Sequence, residues 1–303
     1  MALAARVVIV HRRSEYTELL ERHATYGQAE FFLRERGRSI DDVRARHEVL
    51  EEAIHAVSTR LPDDVRQARL ERSELDRYLF APEDIVLPVG QDGLVANVAK
   101  YLHGQPVVGI NPDPERNPGV LVAHGPLDAA AVVARVRTGH ARIESRAMVQ
   151  ATLDDGQTLE ALNDLYVGDS GHQSARYTVT VPSRGSERHS SSGIIAGTGT
   201  GSTGWTSSIA SDRKIDAAQL PAATSTAISW FTREAWPSIA TGASLTGGVL
   251  FDGQRLELLV ESDRLVVFGD GIERDYLLAG WGQRLTIGLA ERRLNLVVPG
   301  SSR

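Results

Sequence analysis

Ile85-Val86-Leu87-Pro88-Val89-Gly90-Gln91-Asp92-Gly93-Leu94-Val95-Ala96-Asn97-Val98-Ala99-Lys100-Tyr101 is the stretch whose reading decides the fold. Its first five residues are a continuous apolar run, broken only by Pro88, and predict a buried strand over 85–89. Gly90–Gly93 is a tight turn, and Leu94–Tyr101 has helical character that Gly104 stops. Buried strand, glycine turn and helix in succession predict one step of a parallel, helix-covered sheet. In such a sheet the carboxyl end of the strand and the start of the next helix form the usual ligand position.

The same alternation extends on both sides. Upstream lie a β-branched run, Arg6–Val10, and an amphipathic stretch after Ser14. A second helix is opened by Ser39, with Asp42 as its expected capping-box partner, and closed by Pro62. Val65–Ala68 and, downstream, Val107–Ile110 are further strand candidates. After about residue 125 the character changes. From Arg142 on, short β-rich runs separated by Gly, Ser, Asp and Asn take over: 176–181, 193–196, 256–260, 265–268, 285–289 and 294–298. They predict an antiparallel sheet domain. Residues 207–229 give no firm periodicity. The expectation is an α/β domain, 1–125, followed by a β-rich domain, 126–303, with the last strands free to return to the first.

Composition narrows the function. At about 150 residues per domain, 303 residues fit two domains. Net charge is −6, so nucleic acid is not an expected partner. There are no cysteines, which removes disulfides, thiolate metal sites and thiol nucleophiles. No apolar run reaches the roughly 20 residues of a membrane helix, so no membrane partner is expected. Met1–Val10 reads as a first strand rather than a signal peptide, and a soluble cytoplasmic protein is expected. Of 33 basic residues only Lys100 and Lys214 are lysines, so a mechanism that needs lysine has two candidates. The nine histidines show no metal-ligand spacing, and no Ser-His-Asp order or G-x-S-x-G elbow points to a hydrolase.

Four stretches could carry chemistry. In Gly90-Gln91-Asp92-Gly93 the glycines let backbone approach a phosphate, and Asp92 can take a proton or hold a metal ion. Taken alone, the residues read more readily as a plain turn with Asp as helix cap. Asn111-Pro112-Asp113-Pro114-Glu115-Arg116-Asn117-Pro118-Gly119 is a rigid turn in which Arg116 could reach a phosphate, or a structural loop. Asn163-Asp164 places an amide beside a carboxylate in an apolar run, suited to a ring edge or a ribose diol, or to a turn between strands. Gly197-Thr198-Gly199-Thr200-Gly201-Ser202-Thr203-Gly204, before Trp205, offers hydroxyls and bare backbone that can wrap ribose and phosphate; the alternative is a flexible hairpin connection. It is neither a Walker loop, having no lysine after its last glycine, nor a G-x-G-x-x-G fingerprint.

In this order the four pieces resemble the NAD kinase family. Gly90–Gly93 resembles its G-G-D-G element, Asn163-Asp164 its Asn-Glu pair, and Thr198–Trp205 its T-P-T-G-S-T-A-Y loop. Asp270-Gly271 resembles a later Asp-Gly turn. Gly109–Gly119, Ser191-Ser192-Gly193 and Glu21-Arg22-His23 are most similar to the mitochondrial-type branch. The resemblance implies a Rossmann-like domain, a C-terminal β domain and a homodimer or homotetramer. It also implies Mg²⁺-dependent transfer of a phosphoryl group from ATP or polyphosphate to the adenosine 2′-hydroxyl of NAD. Asp92 would be the catalytic acid/base or the metal-organising group. Asn163, Asp164, Thr198, Thr200, Ser202, Thr203, Gly204, Trp205 and Ser208 would line the dinucleotide site. Gly90, Gly93, Asn111 and Arg116 would lie on the phosphate side. The chain departs from the family at Gln91, in place of a glycine, at Leu94, in place of a frequent Thr, and at Asp164, one methylene shorter than Glu. Gln91 and Leu94 leave open a non-catalytic nucleotide-binding regulator of the same fold, and the G-G-D-G-like element, which is similar to that of other small-hydroxyl kinases, leaves open a kinase for a lipid or another small hydroxyl compound.

Overall fold

A computed structural model describes residues 6–300; the reading of residues 1–5 as the start of the first strand lies outside them. The chain divides into two units, one running to Glu144 and resuming at Asn295, the other spanning Ser145–Leu294.

The first unit opens with β1 (Arg6–His11), then α1 (Glu15–His23), α2 (Tyr26–Arg34), α3 (Ile40–Arg60) and β2 (Arg66–Glu71). β3 (Ile85–Val89), α4 (Asp92–Ala99), β4 (Pro106–Val107) and α5 (Ala129–Arg137) follow. Its sheet is parallel, in the order β2-β1-β3-β4. β3 is buried along its whole length, as its unbroken apolar run dictates. Val7, Ile9, Ile54, Val57, Leu87, Val89, Ile110 and Val132 build the core, each fully buried aliphatic side chain worth about 1.5–3 kcal/mol against exposure. Ser14 and Ser39 cap α1 and α3 with their side chains. The capping box expected at Asp42 does not form: Ser39 accepts from the Asp41 N–H at 3.1 Å, and an Asp side chain is a methylene too short to reach back as Glu would. The strand read over 107–110 is reduced to β4 and two isolated bridges at Ile110, one to Val89 and one to His124. Pro88 has no N–H to donate to the ladder between β3 and this segment. α4 starts two residues earlier than its apolar pattern indicated, at Asp92 itself.

The second unit is an antiparallel β structure. Its strands are β5 (Arg142–Leu153, entering from the first unit), β6 (Thr158–Ala161), β7 (Asp164–Asp169), β8 (Ala175–Val181), β9 (Gly185–Ser191) and β10 (Gly193–Thr198). After α6 (Trp205–Asp212) come β11 (Ala227–Arg233), β12 (Gly247–Phe251), β13 (Arg255–Val260), β14 (Arg264–Gly269), β15 (Ile272–Gly280) and β16 (Arg284–Val298). One sheet runs β12-β11-β10-β7-β14-β15; β16, β13, β8 and β9 pair in that order, with β5 beside β16 and β6 beside β5. Inward side chains such as Val149, Leu165, Val167, Tyr177, Ile194, Trp230, Leu258 and Ile287 make one core. The two separate strands read at 285–289 and 294–298 are one strand, because Ala290-Glu291-Arg292-Arg293 contains no turn residue. At its end Asn295 and Leu296 pair in parallel with β4, inside the first unit.

Candidate functional site

In the first unit, β3 and α4 present Gly90–Gly93 at the carboxyl edge of the sheet. Gln91 caps α4 without a side-chain bond, in an extended conformation (φ −105, ψ 167) that any residue adopts. The loss of a glycine there strains nothing, and the Gln91 side chain is exposed. Leu94 packs against Gly90, where an added Cβ would meet its Cδ2 at 3.2 Å. The Asp92 carboxylate accepts three backbone N–H groups: Oδ1 from Leu121 (2.8 Å) and Val122 (3.1 Å), Oδ2 from Val120 (2.9 Å). A carboxylate has about four lone-pair sites, so one remains, on Oδ2. Gly119 is required beside it, because a Cβ would stand 2.2 Å from Val122 Cγ2. Asn111 is buried and turned inward, donating to Asn117 O (2.8 Å) and accepting from Asp113 N (3.0 Å). Its amide organises the loop rather than facing a ligand. Arg116 is exposed and 3.9 Å from Asp113. Gln91–Gly93, Arg116–Gly119 and Val122 line a pocket of about 340 Å³.

In the second unit, Leu162 and Asn163 connect β6 to β7, and Asp164 begins β7 opposite Gly197. The connection is locked from two sides. Thr198 donates its hydroxyl to Leu162 O (2.6 Å) and accepts from the N–H groups of Thr200 (3.1 Å) and Gly201 (3.3 Å), while its own N–H reaches Asn163 O (2.9 Å). From the other side Asp270 accepts from Leu162 N (2.9 Å) and Asn163 N (2.7 Å). Asp270 and Gly271 both have positive φ, 57 and 68, the Asp-Gly turn that joins β14 to β15. Gly201 passes so close to Asn163 that a Cβ would sit 2.2 Å from its carbonyl oxygen. With the backbone fixed, the Asn163 and Asp164 side chains make no hydrogen bond among the described residues. Burial, then the charge of Asp270, pushes the Asp164 carboxyl up to about 6.

The Gly/Ser/Thr stretch is not a flexible hairpin connection. Gly197 and Thr198 end β10, Gly201–Thr203 form a 3₁₀ turn, and α6 starts at Trp205. Ser202 donates to Thr198 O, and Thr206, which sequence reasoning missed, donates to Gly201 O. The Thr200 hydroxyl is buried without a partner among the described residues. Thr203, Gly204 and Ser208 are exposed. Trp205 stacks on Tyr166 (centroids 5.9 Å apart, 13° between planes) under the Arg233 guanidinium. Tyr166, also missed, donates to Ser192 O. Its place, two residues past Asp164 on one strand face, was readable from strand alternation.

No family model matches the chain. It is 27% identical over 140 residues to the NAD kinase of Chlorobaculum tepidum, covering 46% of this chain and 47% of that protein. It is 26% identical over 255 residues to the mitochondrial NAD kinase 2 of Rattus norvegicus, covering 68% of this chain and 60% of that one. The chain thus spans about half to three-fifths of the length of these relatives. Among solved structures, yeast NADH kinase complexed with NADH superposes with a TM-score of 0.62 at 14% identity, over 99% of this chain and 85% of that one. The fold, an α/β unit followed by an antiparallel β unit, is therefore that of an NADH kinase. The resemblance to the NAD kinase family stands on these relatives together with the motifs.

Proposed function

We propose that this chain is an NAD kinase, transferring the terminal phosphoryl group of ATP or polyphosphate to the adenosine 2′-hydroxyl of NAD. The observation that carries this reading is the Asn163-Asp164 connection. Its backbone is held by Thr198 and Asp270 while both half-buried side chains make no hydrogen bond, and the hydroxyl of Thr200, two residues past Thr198, is buried without a partner among the described residues. Buried polar atoms are rarely left so unless a ligand satisfies them. An amide, a carboxylate and a hydroxyl suit a ribose diol and a base edge.

Phosphoryl transfer is mainly positioning and charge stabilisation. In this reading the donor phosphates lie at Gly90–Gly93, and Asp92 uses its remaining Oδ2 lone pair to accept the proton of the attacking hydroxyl or to hold a divalent cation. Among the described residues no cluster of three or more His, Asp or Glu side chains could hold a metal. The single open carboxylate position fits Mg²⁺, which keeps most of its shell as water and phosphate oxygens. When bound, Mg²⁺ would neutralise charge on the transferred group. No helix of the described residues is long and apolar enough to cross a membrane; a cytoplasmic setting and a homodimer or homotetramer complete the proposal.

The test is incubation of purified protein with NAD or NADH, Mg²⁺ and either ATP or polyphosphate, followed by assay of the phosphorylated dinucleotide. Product with any pair supports the kinase. NAD binding without product from any donor favours the regulatory reading, to which the use of Asp92 as a loop latch lends weight.

A further inference from the structure

Arg12 is the residue that follows β1. β1 and β3 are adjacent and parallel, with His11 opposite Val89, so continuing the register sets Arg12 beside Gly90. Arg12 is exposed and forms no ion pair within 4 Å among the described residues. Its charge is felt at Glu15, but that carboxylate is engaged by both arms of Arg38 (2.5 and 2.8 Å). The neighbouring arginine is different: Arg13 is committed to Glu21 and Glu71 at 2.9 and 2.8 Å. On the far side of β3, the loop that follows Ile110 brings the exposed Arg116 to the pocket beside Asp92, where its one ion pair is a long contact of 3.9 Å to the half-buried Asp113. The strand order β2-β1-β3-β4 therefore puts an arginine on each flank of the Gly90–Gly93 turn, Arg12 without an ion pair among the described residues and Arg116 in one long pair with Asp113.

We infer that Arg12 and Arg116 are the two arms of a clamp for a condensed phosphate chain, with Arg12 the residue that makes the donor a triphosphate or longer. The inference rests on the proposed kinase reading for placing the donor at Gly90–Gly93. Two guanidinium forks on opposite sides of one turn suit a chain of phosphates, which offers separate oxygens to each, better than a single orthophosphate. No lysine is available in the unit except Lys100, at the far end of α4. A guanidinium that no carboxylate holds loses little on turning to a phosphate, and its planar fork binds two oxygens at once. Arg12 is a donor-binding residue: it sets donor affinity and leaves the acceptor alone.

The experiment is calorimetric titration of ATP, ADP and inorganic triphosphate into wild type, Arg12→Ala, Arg12→Lys and Arg13→Ala, with steady-state donor and NAD kinetics alongside. Melting temperatures establish that each variant is folded. The expected result is that Arg12→Ala weakens ATP and inorganic triphosphate alike, by about tenfold as for loss of one charge-assisted bond. ADP should weaken less, and the apparent KM for NAD should not move. Arg12→Lys recovers part of the loss, and Arg13→Ala leaves donor binding unchanged. Unaltered triphosphate binding in Arg12→Ala, or an equal loss in Arg13→Ala, overturns the clamp. If wild type makes NADP with a donor KM indifferent to Arg12, the clamp fails and the kinase reading stands. If triphosphate binding depends on Arg12 but no NADP forms, the clamp stands and the kinase reading fails. A wild type that binds no condensed phosphate overturns both.

Discussion

Asp92 holds the 120–122 loop by three hydrogen bonds, and in the proposed reading the same carboxylate also serves the chemistry, so the structure changes what its replacement should do. From the sequence, Asp92→Asn is expected to remove turnover and leave the fold intact. The three amides of residues 120–122 make that too simple, because Asn has one accepting oxygen and turns an NH₂ toward N–H donors. Loss of turnover of at least about 100-fold should come with a stability loss of about 1–3 kcal/mol, read by denaturant melts beside the rate assay. Wild-type turnover would remove Asp92 from the chemistry. Asp164 has the opposite character. Its carboxyl, pushed from 3.8 to about 6, holds its proton in the folded chain after the unfolded chain has lost it. Stability therefore falls as pH rises through that window, and the deficit persists above it. Asp164→Asn should raise the melting temperature more at pH 7.5 than at pH 4.5 (working values of about that size suffice), while weakening NAD. A variant with the same gain at both pH values would show that the carboxyl is not perturbed by its buried setting. Asn163→Ala should weaken NAD by about 1–3 kcal/mol and leave ATP nearly unchanged. Calorimetry that finds NAD bound as tightly as by wild type would detach Asn163 from the dinucleotide.

The elements around the second site are fixed by side chain-to-backbone bonds, which explains what sequence could and could not reveal. The apolar strands were legible because β3, β8, β13 and β14 bury regular patterns. β9, written Gly-Ser-Glu-Arg-His-Ser-Ser, has no apolar signal and forms because β8 offers it an edge along seven residues. α6 hid in Ser/Thr/Ala-rich sequence with no side-chain cap to announce it. Asn163-Asp164 and the Gly/Ser/Thr loop were legible as polar groups in apolar surroundings. The clamp that orders them was not, since Asp270 is over 100 residues away and its task depends on a turn conformation. Asn111 and Arg116 looked equivalent in one proline-rich loop; only the fold shows the amide turned inward and the guanidinium outward. Thr198 tests the clamp at this scale. Thr198→Val keeps the shape but strips a donor from Leu162 O and an acceptor from two N–H groups. We expect a loss of about 1–3 kcal/mol in stability and weaker NAD binding together. Unchanged stability would show that other groups hold the connection.

For the whole molecule, the last strand has two allegiances. Arg284–Leu294 of β16 belongs to the antiparallel unit, whereas Asn295 and Leu296 pair with β4, Val297 enters the α/β core and its carbonyl meets buried His124 at 3.1 Å. Ending the chain at Leu294 should therefore loosen the α/β unit, read as faster amide exchange in β3 and β4, with the strands of the other unit spared. Equal protection in full-length and shortened chains would make those last residues dispensable. The same arrangement sets a timetable. Gly104 and the side chain of Asn295, hydrogen-bonded in the finished protein, are 191 residues apart. At about 5–20 residues per second, a ribosome takes roughly 10–40 s to deliver the second after the first. For that interval the earlier-made half waits with one sheet edge open, and by its end the later-made half has all its strands. The half translated first is thus the half completed last, and a nascent chain halted before residue 295 is where a chaperone would find that edge exposed.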